Sequence, residues 1–249
     1  MPNVINTLKE SSLHRTLKTL YSLEDGCCVE SEQDGKIYDI IDGSGGIIEI
    51  QTQNLSKLFA KADAALKTGR RFKIVHPIAL RKTIELYGSG GLISRRASPK
   101  RGCIYQILRE LTGLYPLLLH DGFTLEVLLI RMTERRMRTE TAVQSENKRR
   151  RVKRNWIKTD KLLEEIIETK IFSCAEDYLR LIPDGTPELF SARILRDCIL
   201  TDKSLPASAG SFAGLLLWLF CRMNLIEPVQ ADSRAKIYRI KSDVKQADA

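Results

Sequence analysis

Apolar positions set the first rhythm of the chain. Ile5, Leu8, Leu13, Leu17 and Leu20 recur at helical spacing up to Tyr21 and predict an amphipathic helix. "GCCVESE", "GKIYDII" and "GGIIEIQT" follow as three short strands separated by the turns "DG" and "DGSGG", the pattern of an antiparallel meander. "NLSKLFAKADAALKTG" predicts a second helix with Asn54 as N-cap and Gly69 as its stop, and "RRFKIVHPI" predicts a strand closed by its proline. The order is helix, three strands, helix, strand.

Farther on, "TIELYGSGGLISRRASPKRG" reads as a surface loop or hairpin, "CIYQILRELTGLYPLLL" as a helix and "FTLEVLLIRMTE" as a strand. From "NWIKTDKLLEEIIETKIF" the character changes to short helices: "CAEDYLRLIP", then "SARILRDCIL" with Ser191 as cap, then "SFAGLLLWLFCRM". Two short strands in "LIEPVQADSRAKIYRIK" end the chain, and helices followed by a terminal hairpin suggest a winged helix. A length of 249 residues accommodates two cores. The expected division is an α/β domain over 1–130, a connector over 131–154 and a mainly α winged-helix-like domain over 155–249.

Charge sharpens this division. Of the net +9, residues 131–154 supply +7, with 10 Lys and Arg against 3 acids. Such a local patch is the form that an electrostatic footprint for nucleic acid takes, and a solvated linker is the alternative. Lys148, Arg149, Arg150 and Arg151 form its densest run. Arg95, Arg96, Lys100 and Arg101, beside glycines and Pro99, make a second set suited to phosphate contacts, or else a mobile loop. The six cysteines show no C-x-x-C pair and read as small buried hydrophobes of a reducing compartment. The longest apolar run, Phe212 to Phe220, is about half a membrane span. These features predict a cytoplasmic protein with no membrane partner.

The chemistry of the meander lies in two acids. An odd loop in "DGSGG" pairs position i with 88 − i, which sets Asp39 opposite Glu49, and strand alternation places Glu49 and Gln51 on one face. Directly opposed Cβ atoms are about 4.5–5.5 Å apart. At about 4 Å, two like charges repel by about 1 kcal/mol in water and about 4 kcal/mol at an effective dielectric of 20. Either the face is solvated or something relieves the pair, by protonation or by a divalent cation. Isoleucines flanking each acid weigh against solvation.

With Glu10 ahead in "LKESSLH", Asp39 on the second strand and Glu49-x-Gln51 on the third, residues 5–78 resemble the core of the PD-(D/E)xK nuclease superfamily. The wording "LKESSLHRTLKTLY", "YDI", "IEIQTQNLSKL" and "KIVHPI" is also similar to an uncharacterised bacterial family within it. The resemblance implies a restriction-endonuclease-like αβββαβ core and a magnesium- or manganese-dependent endonuclease or repair-type nuclease acting on DNA, or on RNA. Asp39 and Glu49 would then be the metal-binding acids and Glu10 a further ligand. Gln51 stands where most members carry lysine, and Lys57 or Lys61 on the next helix would supply that charge. The alternative is a non-catalytic DNA-binding or regulatory protein on an inactive nuclease scaffold. The sequence does not set the oligomeric state, and a homodimer is compatible with it.

Overall fold

The computed structural model describes residues 10–33, 35–145, 151–229 and 235–242. Helix α1 (Ser12–Tyr21) precedes β1 (Cys28–Gln33), β2 (Lys36–Ile41) and β3 (Ile47–Ile50). A 3-10 turn leads into α2 (Phe59–Lys67), followed by β4 (Phe72–Gly88) and β5 (Gly91–Ala97). Then come α3 (Ile107–Leu111), β6 (Phe123–Val143), β7 (Arg154–Phe172), α4 (Ala175–Leu179), α5 (Ala192–Ile199), α6 (Ala213–Arg222), β8 (Ile226–Val229) and β9 (Ile237–Ile240). The protein is mixed α/β, with one large mixed sheet ordered β1-β2-β3-β4-β6-β7 and β5 paired to β4.

The β3–β4 and β4–β6 pairs are parallel, and α2 and α3 form their crossovers. Both sheet faces are therefore covered, which is why β3 is isoleucine-rich on each side. Ile48 and Ile50 join Leu13 and Leu17 of α1, Val75, Leu128 and Ile130 on one face. Ile47 joins Tyr38, Ala62, Leu66, Ile74 and Val127 on the other. Burying each such side chain stabilises the fold by about 1.5–3 kcal/mol.

Local chemistry fixes the helix ends. Gly69 has φ +76°, and its N–H and that of Arg70 donate to Leu66 and Ala65 carbonyls at 2.9 and 3.1 Å, closing α2 as expected. Asn54 also has positive φ, but its side chain makes no capping bond, so the entry differs from the N-cap that the sequence predicts. At α1, Ser11 caps through its side chain, and Asp160 of β7 accepts from Ser12 N–H at 2.8 Å and Ser12 Oγ at 2.6 Å. Asp160 thus satisfies orphan donors and complements the positive helix end. Asp160→Ala is expected to destabilise the chain by about 1–2 kcal/mol, read as a lower urea midpoint. An unchanged midpoint would show that β7 does not anchor α1.

Three expectations need correction. The strand containing Pro77 does not stop there but continues to Gly88, because β3 leaves β4 after Val75. Val75 O accepts from Gln51 N–H, so every second residue of β4, Pro77 included, directs its backbone to that vacated side, where a missing donor costs nothing. "NWIKTDKLLEEIIETKIF" is strand β7, not helix. Its apolar spacing suits a helix, yet it pairs antiparallel with β6 and completes the backbone bonds of an otherwise bare edge. The predicted connector is correspondingly strand over 131–143, so Arg131, Arg135, Arg136 and Arg138 ride on β6.

After β7, α4, α5, α6 and the β8–β9 hairpin pack together, and Phe190 pairs with Tyr238 of β9 through bonds of 3.0 and 2.8 Å. Ser191 caps α5 as expected. A single apolar cluster runs from Tyr38 through Leu108 and Phe212 to Ile226, joining this region to the α2 and α3 side of the sheet. No helix among the described residues is long and apolar enough to cross a membrane.

Candidate functional site

The three-residue loop Gly43–Gly45 builds the register. Asp42 and Gly46 close it through Asp42 N–H to Gly46 O at 2.8 Å, while Asp42 Oδ1 accepts from the N–H groups of Ser44 and Gly46. Ile41 pairs with Ile47 and Ile40 with Ile48, the 88 − i register that an odd loop requires. At the next step, Asp39 and Glu49, the ladder opens. Glu49 Oε1 accepts from Asp39 N–H at 3.1 Å, and Asp39 Oδ2 accepts from Ile50 N–H at 2.9 Å. Each carboxylate takes a backbone donor from the opposite strand.

The acids therefore meet in the gap between β2 and β3 rather than on a shared face. Asp39 is engaged by α1, with His14 Nε2 at 3.5 Å and Lys18 Nζ at 3.4 Å. Glu49 is engaged by α2 through Lys61 Nζ at 2.5 Å, and the two helices cover opposite faces. The carboxylates differ in proton affinity. Burial works to raise Asp39, but hydrogen bonds from His14 and Ile50 and the nearby positive charges outweigh it, holding Asp39 below the ordinary range. Burial and then the Asp39 charge raise Glu49, with Lys61 pulling against them. Environments that drive two carboxyls apart are a recurrent feature of catalytic pairs.

Helix α1 supplies a second layer. His14 Nδ1 meets Glu10 and Nε2 meets Ile50 O at 2.7 Å, so both ring nitrogens face acceptors and only imidazolium satisfies both. Burial opposes that charge, but Asp39 and Glu10 raise the His14 pKa above the usual value. Lys18, buried, lies 3.1 Å from Glu30 and 3.4 Å from both Glu10 and Asp39. Sequence reasoning misses His14, Lys18 and Glu30. A signal is nonetheless present: Glu10, His14 and Lys18 recur at intervals of four, from just before the Ser11 cap along one stripe of α1.

Asp39 and Glu49 offer hard oxygen donors, and magnesium is commonly held by one or two carboxylates with water and substrate phosphate completing its shell. Asp39 and Glu49 are two such donors, each already engaged, Asp39 by Lys18 of α1 and Glu49 by Lys61 of α2. Glu10 does not join them; it lies just before the Ser11 cap and closes on His14 and Lys18. Among the described residues no group of three His, Cys, Asp or Glu side chains gathers closely enough to hold a metal. Gln51 turns toward its own loop, its Nε2 3.5 Å from Asn54 O. Lys61 is at the acid pair, whereas Lys57 is exposed on the preceding turn.

The expected nucleic-acid contacts are dispersed. Arg95 and Arg96 lie on the exposed strand β5, with Arg95 Nε 3.6 Å from Glu85. Lys100 is exposed, and Arg101 donates to Ser204 O at 3.3 Å. Arg151 is exposed; Lys148, Arg149 and Arg150 lie outside the described residues.

A protein of Treponema pallidum (strain Nichols), described as an uncharacterized protein, is 36% identical over 127 residues, covering 51% of this chain and 50% of that protein. The chain thus spans about half the length of this curated relative. No solved structure matches. Residues 11–173 match a domain of unknown function, DUF8091, a stretch that begins at the Ser11 cap, ends with β7 and contains His14, Lys18, Asp39, Glu49 and Lys61. With well over half of its length in that match, the chain belongs to the DUF8091 family.

Proposed function

We propose that this chain is a metal-dependent nuclease that hydrolyses phosphodiester bonds of DNA on a restriction-endonuclease-like core. The observation that carries the reading is the Lys61–Glu49 contact of 2.5 Å. A nuclease with Gln51 in the usual lysine position needs its ammonium from elsewhere, and α2 brings one to the acid pair. The αβββαβ order of α1 to β4 agrees with such a core, and the acids lie at the carboxyl end of β3, where open α/β sheets bind ligands.

Asp39 and Glu49 would hold Mg2+ or Mn2+. When bound, the ion supplies charge neutralisation on the transferring phosphate and lowers the pKa of water. The chain does the positioning. Ile50 N–H and Lys18 keep Asp39 ionised and fixed, and His14 pins α1 to the Ile50 carbonyl. Lys61 holds Glu49 and places a positive charge beside the reacting phosphate.

For the region after β7 we infer a winged-helix-like module. Its order is α4, the Phe190 bridge, α5, α6 and the β8–β9 hairpin, so Phe190 makes a third strand position against Tyr238. The 3-10 turn Ala207–Phe212 leads into α6, whose apolar side chains are core, so any DNA contact would come from the turn.

A second reading, a non-catalytic DNA-binding or regulatory protein on the same scaffold, is favoured by Lys18 and His14, which already balance Asp39. Incubating the full chain with supercoiled plasmid and labelled oligonucleotides, in Mg2+, Mn2+ or EDTA, separates the two. The nuclease reading expects cleavage in either metal and none in EDTA. Salt-sensitive binding without cleavage in either metal would replace it with the second reading.

A further inference from the structure

The sheet face beneath α1 changes character at the helix's N-terminus. Under Leu13 it is apolar, with Ile130 and Met132 of β6. Two and four residues farther along β6 come Glu134 and Arg136, on the same side by strand alternation. Across the β6–β7 ladder, Lys161 lies opposite Glu134 and Lys158 opposite Arg136. Glu134 is buried, 1% exposed, and is met by Arg136 Nη2 at 2.5 Å, Lys158 Nζ at 3.1 Å and Lys82 Nζ of β4 at 3.2 Å. With Lys161, four cations surround one carboxylate, which neutralises one of them.

That excess is turned to a cavity. Leu13, Thr52, Pro77, Lys82, Lys158 and Lys161 are among the residues lining a pocket of about 200 Å³ that includes the Glu134 carboxylate in its wall. Leu13 belongs to α1 and Thr52 lies just past β3, so the pocket opens on the α1 side of the sheet beyond the end of β3. Burial, and then the Lys158 charge, press the Lys161 ammonium below the ordinary lysine range, a stress that a seated anion relieves.

We propose that the Lys82–Lys158–Lys161 pocket docks one backbone phosphate of a nucleic-acid strand. The proposal rests on the reading that nucleic acid is what the chain acts on, but not on cleavage. Its geometry suits point-charge recognition of a tetrahedral anion: three ammonium groups from two strands, Lys82 on β4 and Lys158 and Lys161 on β7, with Thr52 as a hydroxyl donor and Glu134 holding the cations in place. Such contacts fix register and affinity without reading sequence.

The test is fluorescence anisotropy of an end-labelled DNA duplex titrated with the full chain in EDTA, over a series of sodium chloride concentrations. Lys158→Gln, Lys161→Gln and the double variant are compared with Lys67→Gln, whose exposed side chain pairs with Asp63. The double variant is expected to weaken binding by about tenfold at moderate salt and to lower the slope of log K against log salt by about 1, one phosphate's worth of released counterion. Lys67→Gln changes neither. Lys158 is half exposed, so Lys158→Gln still tests the pocket if variants at Lys161 fail to fold. Unaltered affinity and slope in folded variants would overturn the pocket, as would a wild-type chain that does not bind DNA. Parallel cleavage assays in Mg2+ separate the two claims. Cleavage by wild type with unchanged KM in the lysine variants removes the pocket and keeps the nuclease, and weakened binding in the variants without wild-type cleavage does the reverse.

Discussion

Glu49→Gln is expected to lower metal-dependent cleavage by about 10³-fold, equivalent to about 4 kcal/mol of transition-state stabilisation, while leaving thermal stability unchanged or higher. The amide oxygen can still accept from Asp39 N–H, so the bond that joins the strands at the gap survives. What disappears is a negative charge that the fold disfavours, since burial and Asp39 together raise the Glu49 pKa. A group whose folded pKa is raised above its unfolded value subtracts stability where it is ionised, so its removal does not unfold the chain. Asp39→Asn has the opposite stability sign: Asp39 is held ionised by the fold, and its loss removes one of the carboxylates that balance His14 and Lys18, leaving Glu10 and Glu30. Cleavage kinetics beside thermal melts of both variants check the pair of claims. Cleavage that persists in Glu49→Gln would remove this acid from the chemistry.

Glu134→Ala is expected to cost about 3–5 kcal/mol, because deleting the carboxylate leaves Arg136, Lys82 and Lys158 crowded around a buried position with no counter-charge. Burial alone would raise Glu134, but the Arg136 hydrogen bonds and the Lys158 and Lys82 charges bring it down to about 2. With an ordinary value of 4.5, this depressed pKa corresponds to about 3 kcal/mol. That contribution is fully present above pH 4.5 and fades as pH falls through about 2. Urea unfolding at neutral pH and near pH 3 should therefore show the gap between wild type and Glu134→Ala narrowing in acid. A gap independent of pH would mean that packing, and not charge, sets the cost.

The meander was legible because short-range chemistry decided it. Isoleucine runs and a glycine-containing odd loop fix both the strands and their register, so the Asp39–Glu49 juxtaposition follows from a count of residues. What the loop could not reveal was the opening of the ladder at that step, which depends on α1 and α2 pulling the two carboxylates to different sides. Strand β7 was illegible for a related reason. "KLLEEIIETK" has helical spacing, and only the long exposed edge of β6 converts it to strand. The Glu134 cluster gathers residues from 82 to 161, on three strands, where no local pattern can signal it.

The vacated interval of β4 has a consequence for how molecules of this protein meet. Between Val75, where β3 departs, and Thr83, where β5 arrives, a central strand presents its flank, and such a flank is a template on which a second chain can add a strand. Pro77 interrupts the row of donors there, and Gly102 lies so close to Ala79 O that a Cβ would come within 2.3 Å of it, so the segment before α3 covers the next step. Lys82 adds charge at the far end of the interval. The proline in β4 thus also removes a donor from the row on which a neighbour's backbone would add a strand.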